Sequence, residues 1–257
     1  MKFDLHTHTW YSDGTSTVRE LVKQAKKIGL NGFAITDHNT TKAHAKIKKF
    51  ENTIIIRGEE ISTTKGHVLA YLINETIPAG LSVEETIEKI HEQGGIAVAA
   101  HPFDLFIGVK EFAKHKFDAF EVYNGLMHSK LFRSKKTEDY AKKIGMPTTA
   151  GSDSHMVKTL GDCYVNSPHV NSAEELLKNV LKKKTTAHRK QISIEEFVKD
   201  QIRRETKCFK FSKEKSTISR IIAHALIINK PVRIVKKYHQ LFLPIINTID
   251  FLRLRNY

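Results

Sequence analysis

The segment FDLHTHTWYSDGT, residues 3–15, places two histidines one residue apart and an aspartate five residues later. Its apolar residues alternate with polar ones at the start, which predicts a short strand. Because residues i and i+2 of a strand point the same way, His6 and His8 can bind one ion together. The segment alone leaves two interpretations open: a strand with polar decoration, or the first part of a metal site that also includes Asp13.

Six further segments have the composition of strands and alternate with helical patterns. Apolar residues three and four apart predict a helix from Val18 to Ile28, and Ser-x-x-Glu capping boxes predict helix starts at Ser82 and Ser172. This alternation is typical of βα units around a mainly parallel sheet. The seven predicted strands are FDLHTH (3–8), GFAITDH (32–38), IIIRGEEIS (54–62), HVLAYLI (67–73), GIAVAAHP (95–102), AFEVYN (119–124) and TTAGSDSH (148–155).

Ionisable residues recur where these strands end. In a barrel of parallel strands, the carboxyl ends converge on one face, where active sites are built. A single histidine on a strand is more often a packed or surface residue than a ligand. The recurrence within one chain nevertheless favours a shared metal site. The residues concerned are His6, His8, His38, Glu60, His101, Asp153 and His155.

The candidate ligands are imidazoles and carboxylates. The chain has two cysteines, Cys163 and Cys208, too few and too far apart for a disulfide framework or a cysteine-based zinc site. Imidazole and carboxylate without thiolate suit zinc, manganese or iron(II) at centres that keep open positions.

The length of 257 residues and the apolar content of 40% fit one large α/β domain, or one domain with an appendage. The N-terminal residues lack the apolar region of a signal peptide. No apolar run of the sequence approaches the roughly 20 residues that span a bilayer. We therefore expect a cytoplasmic protein without a transmembrane segment.

The character of the sequence changes near Gln191, where the strand patterns stop. Residues 190–257 read as helices and carry 15 Lys/Arg against 6 Asp/Glu, or +9 of the total charge of +14. We expect a catalytic barrel over residues 1–189 and a basic helical extension over residues 190–257. Such an extension attracts phosphate-rich partners. Two alternatives explain the same pattern. One is a solvated helical face, and the other is an appendage packed on the barrel or on a second subunit.

Eight short motifs follow one another along residues 1–189: His6-Thr-His8, Ser12-Asp13-Gly14, Thr36-Asp37-His38, Gly58-Glu59-Glu60-Ile61-Ser62, Gly66-His67, His101-Pro102, Glu121-Val122-Tyr123-Asn124 and Gly151-Ser-Asp153-Ser-His155. In kind and order they resemble the motifs of the polymerase and histidinol phosphatase (PHP) superfamily of metal-dependent phosphoesterases. The resemblance implies a distorted seven-stranded (β/α) barrel of the TIM type, with two or three divalent metals in its mouth.

The resemblance also implies which residues hold those metals. The family pattern of glycine, any residue, glutamate gives a bridging role to Glu60 rather than to its neighbour. We expect Glu60, Asp153 and His155 to serve catalysis through the metals. The implied sets are His6, His8, Glu60 and Asp153 for the first metal, Glu60, His67 and His101 for the second, and Asp13, His38 and His155 for the third.

Three further residues are candidates for contact with the substrate. Arg57 and Lys65 flank the third predicted strand and carry the positive charge that a phosphate attracts, although basic residues beside strands are usually solvated. Asn124 ends the Glu-Val-Tyr-Asn motif.

Metals a few ångströms apart can activate a water and hold phosphate oxygens during in-line attack. We therefore predict a phosphoric ester hydrolase. The EVYNG and GSDSH sequences resemble the small phosphoesterase branch that acts on nucleoside 3′,5′-bisphosphates and on the 5′ ends of short oligonucleotides. That branch commonly inserts a helical subdomain between the Gly-His and His-Pro motifs, whereas here 33 residues separate His67 from His101. Histidinol phosphate or another small phosphate ester is the alternative substrate. A nucleic-acid-associated module that binds through the basic tail is the alternative from another class.

Overall fold

The computed structural model describes residues 1–50, 52–102, 108–109, 112–125 and 134–190, of which residues 48–49 and 134–136 are described by their backbone alone. These residues lie within one compact unit, Met1–Gln191. From residue 191 onwards, the basic helical extension lies outside the described residues and stays a prediction.

Helices and strands alternate along the described residues. The α-helices are α1 (Val18–Ile28), α2 (Val83–Glu92), α3 (Ser134–Ile144) and α4 (Ala173–Leu181). The strands are β1 (Lys2–Asp4), β2 (Gly32–Ile35), β3 (Ile54–Thr63), β4 (Gly66–Tyr71), β5 (Ile96–Ala99), β6 (Ala119–Asn124), β7 (Thr148–Gly151), β8 (Cys163–Asn166) and β9 (Thr186–Arg189). Short 3-10 helices cover Lys42–Lys49, Phe112–Lys114 and Val157–Thr159.

The strands of the described residues form one sheet in the order β7-β6-β5-β4-β3-β2-β1-β8-β9. All seven predicted strands are present, while β8 and β9 were not predicted. Within β1 to β7, the neighbours pair in parallel, except that β4 is antiparallel to both β3 and β5. The sheet curls into a nearly closed barrel with helices outside it, so the expected α/β fold of TIM-like type is confirmed.

The barrel closes between the chain after β1 and the chain at β7. The backbone N–H of Leu5 donates to the carbonyl of Ala150 at 3.2 Å, and that of His8 donates to the carbonyl of Ser154 at 2.9 Å. Regular strand β1 ends before His8. The residues that follow it still form strand-like hydrogen bonds with the chain at and after β7.

Two residues make this close approach possible. Gly151 faces His6 so closely that a Cβ at position 151 would collide with the Cβ of His6. The buried carboxylate of Asp4 accepts backbone N–H groups from His6 at 3.3 Å, Ser152 at 2.8 Å and Gly161 at 2.8 Å. Burial raises the pKa of Asp4 to about 7, although these hydrogen bonds oppose the rise. Asp4 thus ties together the two sides of the seam.

The reversal of β4 determines what reaches the mouth of the barrel. β3 and β4 form a hairpin whose turn ends at Gly66, with φ of +117°, a conformation that favours glycine. Because β4 runs backwards, its first residues lie beside the last residues of β3, and His67 pairs with Ser62. His67 therefore begins a strand, yet lies at the same end of the barrel as Glu60.

Helix α1 confirms the prediction from apolar spacing. The hydroxyl of Thr17 accepts the N–H of Glu20, whose carboxylate accepts the N–H of Thr17 in return, a capping box that fixes the start. Ile28 is 40% exposed because it lies in the last turn. The other four apolar residues of the pattern are buried in a cluster with Phe33 and Ile35 of β2: Val18, Leu21, Val22 and Ala25.

The two predicted capping boxes differ in outcome. Ser82 and Glu85 form the complete box at α2. At α4 the hydroxyl of Ser172 caps the helix, but the carboxylate of Glu175 accepts the N–H of Asn171 instead. Within the described ranges, none of the helices combines the length and apolar content needed to cross a bilayer.

Candidate metal centre

All nine predicted ligands lie at one end of the barrel, where β1, β2, β5 and β7 end and β4 begins. Eight of them occur in groups whose ligand atoms lie within 4.8 Å of one another. The ninth, His101, has its Nε2 3.1 Å from Glu60 Oε1. His67 joins the group through the reversal of β4, and Asp13 lies in the loop that follows β1. The others lie in or shortly after the strands that were expected to carry them.

Glu60 lies at the middle of the centre, on the inner face of β3. Its Oε1 is 2.9 Å from His67 Nδ1 and 3.1 Å from His101 Nε2. These three side chains form the set expected for the second metal. All three are buried, so their charges interact without the screening that water provides.

The other carboxylate oxygen of Glu60 faces the set expected for the first metal. Glu60 Oε2 is 3.1 Å from His6 Nε2 and 3.3 Å from His8 Nε2. Asp153 Oδ1 completes the set, 3.0 Å from His8 Nε2 and 3.6 Å from His6 Nε2. The carboxylate of Glu60 is thus shared between two groups of imidazoles, as a bridging ligand would be.

The third group surrounds Asp13. Its Oδ2 is 3.0 Å from His155 Nε2 and 3.9 Å from His38 Nε2. His8 also belongs to this group, since its Nδ1 is 3.7 Å from Asp13 Oδ1. The sequence placed His38 with the third metal alone, but its Nδ1 is 3.4 Å from Glu60 Oε2. His38 therefore lies between the second and third groups.

Buried polar atoms without hydrogen bonds indicate that these side chains fit metal ions. Within the described part of the chain, His8 Nε2, His38 Nδ1 and Asp153 Oδ1 are buried and make no hydrogen bond of acceptable geometry. Such atoms are costly to bury and rare in folded proteins. Imidazole nitrogen and carboxylate oxygen are donors that zinc, manganese and iron share. Coordination would satisfy all three atoms at once.

The charges of the centre favour a cation. Burial opposes ionisation of Glu60, but the surrounding imidazoles, His6 among them, outweigh it and hold the pKa of its carboxyl well below its ordinary value. Burial likewise opposes protonation of His8, yet Asp153 and Glu60 raise its pKa to about 10. Ionised carboxylates that attract protons to a buried imidazole attract metal ions for the same reason.

The pKa of His38 shifts in the opposite direction, which leaves its imidazole neutral and able to coordinate a metal. Burial lowers its pKa to about 4, and the carboxylates of Glu60 and Asp13 offset only part of that effect. A neutral imidazole is the form that binds metal.

Two buried carboxylates that support the ligands were not predicted. Asp37 accepts the N–H and the hydroxyl of Thr9, at 2.6 and 2.7 Å, and the hydroxyl of Ser12 at 2.8 Å, which fixes the loop that leads to Asp13. Glu121 contacts His6 Nδ1 at 2.9 Å. Both residues belong to motifs that the sequence singled out: Asp37 directly precedes His38, and Glu121 begins the Glu-Val-Tyr-Asn motif.

The three candidates for substrate contact occupy different places. Arg57 is exposed and, by strand alternation, lies on the face of β3 opposite to Glu60, where its charge acts on Glu174. Arg57 and Glu60 are an odd number of positions apart, so their side chains lie on opposite faces of β3. The structure therefore does not bring Arg57 to the metal centre. Lys65 is exposed in the hairpin turn that precedes His67.

Asn124 is buried beside the predicted metal ligands. Its Nδ2 donates to Asp153 Oδ2 and to Glu121 Oε2, both at 3.1 Å. The two protons of its amide are therefore taken by carboxylates, so the contacts of Asn124 are those of a residue that holds ligands in place.

Known proteins resemble this chain in sequence and in fold. An uncharacterized protein of Methanocaldococcus jannaschii is 46% identical over 117 residues, which is 40% of this chain and 68% of that protein. A 5′-3′ exoribonuclease of Haemophilus influenzae is 32% identical over 104 residues, 38% of each chain.

A two-domain protein of Bacteroides vulgatus, described as containing a PHP-like metal-dependent phosphoesterase, has a similar structure. It superposes with a TM-score of 0.61 at 18% identity, over 74% of this chain and 65% of that one. This chain thus spans less than two thirds of the exoribonuclease and of the two-domain protein. The sequence profile of the PHP domain matches residues 4–195, about three quarters of the chain. The predicted phosphoesterase type is thereby confirmed, and the chain belongs to the PHP domain family.

Proposed function

We propose that this protein hydrolyses a phosphate ester of a nucleotide or a short oligonucleotide, with a water activated by two or three divalent cations of manganese, iron or zinc. The observation that carries the proposal is the position of Glu60, whose two oxygens face separate groups of imidazoles 2.9 to 3.4 Å away. Such an arrangement suits two adjacent cations, which can clamp the attacking and leaving oxygens of a phosphoester.

Each set of side chains has its own part in this reaction. Divalent cations supply the charge that lowers the pKa of a water and stabilises the phosphate in the transition state. Glu60 and Asp153 would hold the cations from inside the barrel. The side chain of Asp13 is 46% exposed, while those of His155 and His8 are 4% and 0% exposed. Asp13 is thus the most exposed of these side chains, and we infer that the substrate phosphate approaches from its side.

An exposed tryptophan near this entrance supports a nucleotide substrate. Trp10 is 61% exposed and lies in the loop between the ligands His8 and Asp13. Its backbone N–H donates to the carbonyl of Ser16 at 3.0 Å, and its ring packs edge-on against Tyr11, 5.8 Å between centroids. A base stacked on such a ring gains about 1–3 kcal/mol. The exoribonuclease among the relatives is consistent with the same substrate class.

A phosphate-release screen tests the substrate class. Metal-reconstituted protein should have a higher kcat/KM for nucleoside bisphosphates or short oligonucleotides than for histidinol phosphate or sugar phosphates. Trp10→Ala should lower kcat/KM for the preferred nucleotide about tenfold to a hundredfold, because stacking is lost. The control Trp10→Phe keeps an aromatic face and should retain most of the activity.

Two results of this screen would contradict the proposal. One is a kcat/KM for histidinol phosphate above that for every nucleotide tested. The other is a loss in Trp10→Ala that is equally large for a phosphate ester without a base, since stacking cannot act on that substrate.

The basic tail favours a second role in nucleic-acid binding. The observation behind it is the net charge of +9 over residues 190–257. If the tail contacts a nucleic-acid backbone, kcat/KM for an oligonucleotide should fall steeply with added salt, because bound counterions are released on association. The slope for a single-phosphate ester should stay shallow. Equal slopes for the two substrates, compared at low and at physiological salt, would exclude the tail from substrate binding.

The expected cytoplasmic location of the protein stays a prediction.

A further inference from the structure

We propose that Glu121 is a positioning residue that aligns ligands of two different metal positions and thereby sets the metal affinity of the centre. This inference rests on the proposed function, because it concerns the same metals. Glu121 lies on β6, is buried, and belongs to none of the three ligand groups. Its carboxylate nevertheless contacts groups from three separate segments of the barrel.

The first contact determines which nitrogen of His6 is free. Glu121 Oε1 lies 2.9 Å from His6 Nδ1. A carboxylate oxygen in this position can accept the hydrogen of Nδ1, which leaves Nε2 as the nitrogen available to a metal. Nε2 lies 3.1 Å from Glu60 Oε2. A carboxylate behind a ligating histidine orients the ring and raises its basicity.

The second contact holds the backbone of His101. Its N–H donates to Glu121 Oε2 at 2.9 Å. The φ of His101 is +31°, in the region that residues other than glycine rarely adopt, so the conformation requires support from its surroundings. Glu121 supplies part of that support. His101 faces Glu60 Oε1, whereas His6 faces Glu60 Oε2, so one carboxylate controls ligands on both sides of Glu60.

The third contact extends the control to Asp153. Asn124 Nδ2 donates to Glu121 Oε2 and to Asp153 Oδ2, both at 3.1 Å. Glu121 therefore accepts three N–H groups with two oxygens. A glutamine has one oxygen and an NH₂ group. In either orientation of the amide, the NH₂ group would face one of these N–H donors. Glu121→Gln thus keeps the size of the side chain but disrupts the alignment of His6, His101 or Asp153.

Glu59 provides a matched control one residue from Glu60. It is also buried on the barrel sheet, and burial raises its pKa to about 7. Glu59 Oε2 accepts the N–H of Ile77 at 3.0 Å, while Oε1 has no hydrogen-bond partner within the described residues. An amide at position 59 can therefore keep the single bond. Glu59→Gln removes a buried carboxylate without touching a ligand.

The test is a Mn²⁺ titration of metal-free wild type, Glu121→Gln and Glu59→Gln, by calorimetry with a competing chelator. Loss of such a supporting carboxylate typically weakens metal binding about 10- to 100-fold, which is the result expected for Glu121→Gln. Glu59→Gln should bind within about threefold of wild type. Circular dichroism and thermal unfolding show whether each variant is folded. A folded Glu121→Gln with the Mn²⁺ affinity of wild type would overturn the proposal.

A second variant keeps the proposal testable if Glu121→Gln does not fold. Glu121→Asp retains the charge but is one methylene shorter, so it cannot reach the His6 ring and the His101 amide together. We expect weakened Mn²⁺ binding and shifted Co²⁺ absorption bands, and wild-type values of both would contradict the role. Failure of the phosphoesterase function is distinguishable: the wild type would bind Mn²⁺ and release no phosphate, while the affinity difference would still be measurable.

Discussion

Glu60→Gln should bind fewer metal ions than wild type and lose at least about a thousandfold in kcat/KM on any phosphate ester. Each oxygen of Glu60 faces a different group of ligands, at 2.9 Å for His67 and 3.1 Å for His6. An amide has one oxygen to offer and no charge, so it cannot hold two cations side by side. Each tenfold loss in rate corresponds to about 1.4 kcal/mol, and two cations contribute several kcal/mol to the transition state.

The measurement is elemental analysis of purified Glu60→Gln together with release of nitrophenol from p-nitrophenyl phosphate. Glu59→Gln is the matched control, since it is the adjacent buried glutamate and contacts Ile77 rather than a ligand. It should keep its metals and its activity. A Glu60→Gln protein that binds the wild-type number of ions and turns over at the wild-type rate would show that Glu60 is not the bridging ligand.

Asp153→Asn should lose the metal of the first group and at least about a hundredfold in kcat/KM, while the second group keeps its ion. Asp153 Oδ1 lies 3.0 Å from His8 Nε2, and its charge helps to raise the pKa of His8. The φ of Asp153 is +51°, a region that asparagine tolerates well, so the substitution keeps the backbone. What changes is the charge at the metal position.

The control for Asp153→Asn is Asp118→Asn. Asp118 pairs with His91 and lies just before β6, at the end of that strand opposite to the end that faces the metal centre. Asp118 Oδ2 accepts from His91 Nε2 at 2.8 Å and from the N–H of Ala97 at 2.7 Å. Removal of its charge should leave metal content and kcat/KM unchanged. Loss of every metal from Asp153→Asn would mean that the two groups bind ions only together, which contradicts independent binding by the first and second groups.

The clustering of most of the predicted ligands follows from a simple rule of strand geometry. His6 and His8 lie on one face of a paired segment, and the ends of β2, β5 and β7 meet at one edge, so residues that follow strands come together. The same rule accounts for the position of Arg57: it is three residues from Glu60, an odd number, and therefore points away from the barrel interior.

Supporting residues were harder to predict because their roles depend on contacts between distant segments. Asp4 accepts backbone N–H groups from residues up to 157 positions away, and Glu121 accepts from His6, 115 positions away. The local sequence marks Glu121 as part of a motif, but it does not indicate which distant groups either carboxylate contacts. β8 and β9 were missed for a similar reason: the antiparallel pairings of β8 with β1 and of β9 with β8 are tertiary contacts.

The measurement that tests the central claim most directly is hydrolysis of a phosphate ester by the wild type as a function of metal bound per chain. Metal-free protein, prepared with a chelator, is titrated with Mn²⁺, and the initial rate is measured at each occupancy. We predict a negligible rate without metal and a rise that accompanies binding of the second ion, because Glu60 holds two cations together. Metal-free protein that retains the full rate would contradict the claim that these histidines and carboxylates form a catalytic metal centre.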